Sequence, residues 1–208
     1  MVVRQGVQPF HRLQGQMLNA LAFWYNPPMP KTAQHLLLFL IAAVVIVADQ
    51  VTKVLIRANL AMFETFAPIS ALGNFFTLIN TTNTGAAFGM FKAGGSLFTI
   101  IAIIVVGAIL YYYPRLPAGQ IGIRVALGLQ LGGAIGNLID RLLFGTVTDF
   151  IFFHWYGFLN APIFNLADLS ITSGVIVLAL LMWKENNQER KAQTAVADAA
   201  PHSLAGRE

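Results

Sequence analysis

Four stretches of this sequence are apolar over roughly 20 residues each, enough to cross the hydrocarbon core of a bilayer. They cover residues 36–57, 96–113, 121–143 and 162–183. All four are expected to be helices, because lipid offers no partner to an unpaired backbone amide. Only 11% of the chain is charged and 56% is hydrophobic. A soluble domain carries about 25% charged residues. The expected fold class is an all-α polytopic membrane protein of four transmembrane helices, with a small extracytoplasmic β-cradle between helices one and two. Residues 1–35 are read as an N-terminal cytoplasmic extension, 36–183 as the four-helix transmembrane domain and 184–208 as a cytoplasmic tail. That tail is polar and Ala-rich and is expected to be disordered.

The Lys and Arg bias sets the topology. The segment before the first span carries Arg4, Arg12 and Lys31 without an acid. The short loop between spans two and three carries Arg115 and Arg124, and the segment after span four carries Lys184, Arg190 and Lys191. The positive-inside rule makes all three cytoplasmic. Tyr111, Tyr112, Tyr113 and Trp183 suit interfacial anchors on that side. Residues 1–31 lack an apolar core long enough for a signal peptide. Residues 17–25 fit either a short interfacial helix or a poorly ordered extension that ends at the Pro27, Pro28 and Pro30 break. The two other loops face outward. Phe75 to Ile79 in the first resembles a strand, with a turn at Asn83-Thr84-Gly85. The second, residues 144–161, is aromatic enough to dip into the interface.

Charge inside a span is costly and needs a reason. Asp49 and Lys53 lie four apart near the outer end of span one, so they share a face and can pair. They form either a structural salt bridge or a support for a site. In span three Gly128, Gly132 and Gly136 repeat every four residues and lead to Asp140, a ridge along which another helix can approach closely. Beside it run Gly133, Asn137 and Arg141. Asn137 and Arg141 can bind a carbonyl, a carboxylate or headgroup oxygens, or they can tie helices together.

Asp149 follows span three. Asp168 is read as about one and a half turns into span four, with Asn165 on its face. By the topology above both acids lie at the outer leaflet. Two carboxylates brought together in a partly dry site share a proton. One can then act as base on a water and the other as acid. Spacing leaves an ion or proton pathway open as the rival, and polar residues that merely tie helices as another. No cysteine is present, which removes thiolate chemistry and Cys-ligated metal. His154 is the one outer histidine. It has no serine in a nucleophile-elbow context and too few neighbours for zinc. No metal and no cofactor is expected. The net charge of +4 suits anionic lipid. No basic run with interleaved aromatics points to nucleic acid.

Five segments, in order, resemble the lipoprotein signal peptidase (signal peptidase II) family. They are Asp49-Gln50-Val51-Thr52-Lys53, Asn83-Thr84-Gly85-Ala86-Ala87-Phe88-Gly89, Gly133-Ala134-Ile135-Gly136-Asn137-Leu138-Ile139-Asp140-Arg141, Val147-Thr148-Asp149-Phe150-Ile151 and Phe164-Asn165-Leu166-Ala167-Asp168. The resemblance implies an aspartic endopeptidase of the bacterial cell inner membrane, multi-pass, with both termini cytoplasmic. It implies removal of the signal peptide from diacylglyceryl-modified prolipoproteins on the amino side of the lipidated cysteine. It implies Asp149 and Asp168 as the catalytic pair. It further implies substrate-binding or supporting roles for Asp49, Lys53, Asn83, Gly133, Asn137, Arg141, Asn165 and Ala167. Membrane lipid as a partner and inhibition by globomycin, a peptide antibiotic that blocks the family, follow from the same resemblance. Thr148, where many members have a hydrophobic residue, and Phe152-Phe153-His154 depart from the family pattern and bear on substrate fit.

Overall fold

The computed structural model describes residues 30–85, 94–117, 119–154 and 162–199. The N-terminal extension before Pro30, the motif residues Ala86, Ala87, Phe88 and Gly89, the aromatic residues Trp155, Tyr156 and Phe158, and the last nine residues lie outside them.

The four apolar stretches are helices: α1 (Lys31–Asn59), α2 (Gly94–Tyr112), α3 (Ile121–Phe144) and α4 (Leu166–Ala199). Each is long and apolar enough to cross a membrane. A one-turn 3-10 segment, Tyr113–Arg115, follows α2. Helix α3 ends at Gly145, whose φ of 75° makes a left-handed cap that a side chain would strain. Helix α4 runs past residue 183 to Ala199, so most of the expected disordered tail is helical. The run after Trp183 is rich in Glu, Lys, Gln and Ala, which favour helix without needing lipid. Tyr113 does not sit at the lipid surface as an anchor. It is buried with Leu38, Ala42, Ile109 and Leu131, its ring edge-on to His35 and Phe39.

Helix α3 is central, and its glycines explain how. A Cβ on Gly128 or Gly132 would lie 3.0 or 2.8 Å from a carbonyl oxygen of α1, at Leu38 and Ala42. One on Gly133 would lie 2.4 Å from the Ala167 carbonyl oxygen of α4. The glycine ridge therefore receives α1, and the adjacent stripe receives α4. Val44, Val47, Ile104, Ile176 and Leu180 point outward and exposed, as lipid-facing side chains do.

The sheet has three antiparallel strands in the order β1 (Thr65–Phe66), β2 (Phe76–Asn83) and β3 (Val147–Phe153). It is therefore not confined to the segment between helices one and two. The second loop supplies β3, whose β-branched and aromatic residues fit a pleated surface. The register places Asp149 opposite Thr81 and Val147 opposite Asn83, with an irregularity between Leu78 and Thr81. Asp149 and Asn83 are thereby diagonal neighbours on one face.

Candidate active site

Helix α4 begins where its first orphan amides find caps. The Asp168 amide donates to Asn165 Oδ1 at 2.9 Å, and the Asn165 amide donates to Asp168 Oδ2 at 3.4 Å. This reciprocal pair is a capping box. It places Asp168 in the first turn of α4, not a turn and a half inside it, because Asn165 caps the helix from outside. The Ala167 amide donates to Asp49 Oδ1 at 3.0 Å. A carboxylate of α1 thus holds the start of α4, reaching it past Gly136, where a Cβ would lie 2.7 Å from Asp49 Oδ2.

Lys53 is fully buried. Its ammonium contacts Asp49 Oδ2 at 2.8 Å and Asp140 Oδ2 at 3.4 Å, and donates to Asn137 Oδ1 at 3.0 Å. Three donors meet three acceptors, so the charge is satisfied without water. Asn137 passes the arrangement on. Its Nδ2 donates to Asp168 Oδ1 at 2.7 Å. Its Oδ1 also receives Asn165 Nδ2 at 3.1 Å. Asn165 Nδ2 in turn lies 2.6 Å from Asp149 Oδ1. Asn83 Nδ2 donates to the other oxygen, Asp149 Oδ2, at 2.9 Å. Asn83 is itself fixed by its Oδ1 accepting the Gly85 amide at 2.7 Å, an Asx turn of the kind expected at Asn83-Thr84-Gly85.

Asp149 and Asp168, nineteen residues apart in sequence, are therefore both bonded to Asn165. Asp149 is 2% exposed. Burial pushes its carboxyl up to about 6, and the neighbouring Asp168 charge adds to the rise. The amides of Asn83 and Asn165 and the Lys53 charge pull the other way. Asp168 lines a groove of about 630 Å³ between α2, α3 and α4. Its apolar wall includes Phe98, Ile101, Ala102, Val105 and Ile171, and Asn83, Asn137 and Arg141 rim it. Arg141 lies with its guanidinium 5.7 Å from the Phe98 ring centre. Such an arrangement suits acid–base work on an elongated apolar substrate. Among the described residues no group of acids and histidines is arranged to hold a metal ion.

All ten expected site residues lie in or against this cluster. Three further residues complete it. Gln50 Nε2 donates to the Gly136 carbonyl at 3.0 Å and lies 3.2 Å from Asp49 Oδ2 and 3.3 Å from Asp140 Oδ1. Asp140 accepts the Thr148 amide at 2.9 Å and is fully buried. An acid ending a buried glycine stripe was the available signal for Asp140. Thr148 belongs to the frame as well: its hydroxyl accepts from Arg57 at 2.8 Å.

The family model for Signal peptidase (SPase) II matches residues 41–184. The chain belongs to the signal peptidase II family. It is accordingly a membrane-spanning protease. A lipoprotein signal peptidase of Symbiobacterium thermophilum is 42% identical over 145 residues, covering 70% of this chain and 93% of that protein. One from Pseudomonas aeruginosa is 41% identical over 157 residues, covering 73% and 90%. A solved bacterial membrane enzyme superposes with a TM-score of 0.65 at 36% identity, covering 73% of this chain and 90% of the other. The signal peptidase II match spans every residue of the cluster described above.

Proposed function

We propose that this chain is an intramembrane aspartic endopeptidase that cuts prolipoproteins carrying a diacylglyceryl group, on the amino side of the lipidated cysteine. One observation carries the reading: two acids from different segments meet on Asn165, and one of them, Asp168, lines an apolar groove. Asp149 and Asp168 are the catalytic pair. One of the two must hold a proton, and burial of Asp149, which pushes its carboxyl up, favours that. One carboxylate takes a proton from a water as the water oxygen attacks the scissile carbonyl carbon. The other gives its proton to the carbonyl oxygen, so the tetrahedral intermediate carries no full negative charge. On collapse the C–N bond breaks, the leaving amine takes the proton drawn from the water, and one hydroxyl of the intermediate returns its proton to the other carboxylate as the new carboxyl forms.

Residues 36–183 form the peptidase domain. Asn137, Asn165 and Asn83 orient the two acids. Asp49, Gly133 and Ala167 fix the start of α4. Lys53 supplies a buried positive charge one amide away from Asp168. The groove receives the signal helix and acyl chains, with Arg141 at the headgroup level.

The site lies at the outer leaflet of the bacterial inner membrane, and both termini are cytoplasmic. Support comes from Arg115, Lys184, Arg190 and Lys191, which all belong to the opposite end. The sheet is the outer cradle. Globomycin, as a peptide inhibitor, is expected to compete for the groove.

The test is incubation of the purified protein with a diacylglyceryl-modified prolipoprotein, with and without chelator. Cleavage is expected in both, blocked by globomycin. Asp149→Asn and Asp168→Asn should each lower the rate by about 10²- to 10⁴-fold while membrane levels hold. A metal requirement, or cleavage by the double variant, would remove the two-aspartate mechanism.

A further inference from the structure

Gln130 is an amide in the middle of a membrane helix, on the wall of the groove. Its Nε2 is buried without a hydrogen-bond partner. An unpaired amide in hydrocarbon is costly, so a mere tie between helices would leave no such donor. The side chain is also given room. Across from it α4 has Gly174, where a Cβ would stand 2.7 Å from Gln130 Cγ. The terminal torsion of a glutamine is broad and two-fold, so either end of the amide can turn to the groove.

Depth indicates what meets it. Gln130 precedes Asn137 by seven residues on α3, about 10 Å along the axis at 1.5 Å per residue. Asn137 is bonded to Asp168, so Gln130 lies about that far below the acids. A signal helix entering from the cytoplasmic side ends at the site. Its last four carbonyls have no partner within the helix. The residues between that helix end and the cleaved bond must be extended for the acids to reach the bond. At about 3.3 Å per residue, 10 Å of extended chain is about three residues. Unpaired peptide groups of the substrate and an unpaired amide of the enzyme then fall at one depth, where no water competes.

We propose that the Gln130 amide hydrogen-bonds the main chain of the signal peptide about three residues before the scissile bond. Gln130 is thus a specificity residue that reads an unwound segment and not a side chain. The inference rests on the signal peptide reading of the groove.

The experiment uses the purified full chain and a synthetic diacylglyceryl lipopeptide. One version has all amides, and another has (E)-alkene isosteres, which lack the carbonyl acceptor, replacing the peptide bonds three and four residues upstream. Gln130→Leu keeps the apolar volume and removes the amide. It is expected to raise KM by about three- to tenfold, the worth of one net hydrogen bond, with kcat changed by less than about twofold. Its melting temperature should equal or exceed that of the parent, which a structural role would not allow. The alkene version should cost the parent the same factor and Gln130→Leu nothing further. Additive losses overturn the proposal, as does a Gln130→Leu protein indistinguishable from the parent on the all-amide substrate. So does a Gln130→Leu loss that vanishes only with ether-linked lipid chains, which would assign the contact to lipid. If the parent cannot cut the all-amide lipopeptide, the peptidase reading itself falls, a result separable from every outcome above.

Discussion

Gly133→Ala places one methyl group where α3 and α4 cross. The new Cβ would stand 2.4 Å from the Ala167 carbonyl oxygen and 2.8 Å from Ile171 Cγ1. The first of these is backbone, so no side-chain rotation relieves it. Reaching even 3.0 Å from the 2.4 Å starting point requires the helices to part by about 0.6 Å. Asn137 lies one turn further along the same face of α3, and Asp168 follows Ala167. Their 2.7 Å bond would stretch to the edge of hydrogen-bonding range. A hydrogen bond to a charged group is worth about 1.5–3 kcal/mol, so the rate should fall about 10- to 100-fold. Overpacking should lower stability by about 1–3 kcal/mol. Gly107→Ala is the control, because a Cβ there meets nothing within 4 Å. The assay is lipopeptide cleavage at equal protein, with thermal melting in detergent. Full activity and unchanged melting for Gly133→Ala would refute the packing argument, as would equal damage from Gly107→Ala.

Lys53→Met leaves Asp49 and Asp140 buried without their counter-charge, and should cost about 3–5 kcal/mol in detergent melting; a loss under about 1 kcal/mol would show that the charge is not needed. The Asp149 carboxyl is pushed up to about 6, so it loses its proton as pH rises through that value. In the free enzyme kcat/KM should fall above about pH 6. Substrate filling the groove strips more water and should carry the corresponding limb of kcat to higher pH. Coincident limbs, or a fall confined below pH 5, would contradict this. Asn165→Ser keeps a capping oxygen for the Asp168 amide but removes the donor to Asp149. That donor lowers the Asp149 pKa, so the kcat/KM limb should move to higher pH, and a shift to lower pH would reverse the assigned role.

The amino-acid sequence alone dictated the four spans, because whether a segment can sit in lipid is a sum over its own residues. It determined the faces of α3 too: glycines every four residues mark where helices can approach, and the structure puts α1 and α4 there. The turn at Asn83-Thr84-Gly85 was legible for the same reason, since an Asx turn closes within three residues. Tertiary structure decided the rest. Asn165 and Asp168 read as neighbours inside a helix, yet they form its cap, because β3 and α3 hold Asn165 from outside. Asp49 read as half of a pair with Lys53, yet it also caps Ala167, 118 residues away. Gln50 and Asp140 entered the cluster only through helix packing. The strand from the second loop pairs with β2 and so brings Asp149 to Asn83. Periodicity is local and fixes which way a side chain faces along its own element. Which acid meets which amide depends on how far apart α1, α3 and α4 pack, and that distance is set by contacts between residues far apart in the chain.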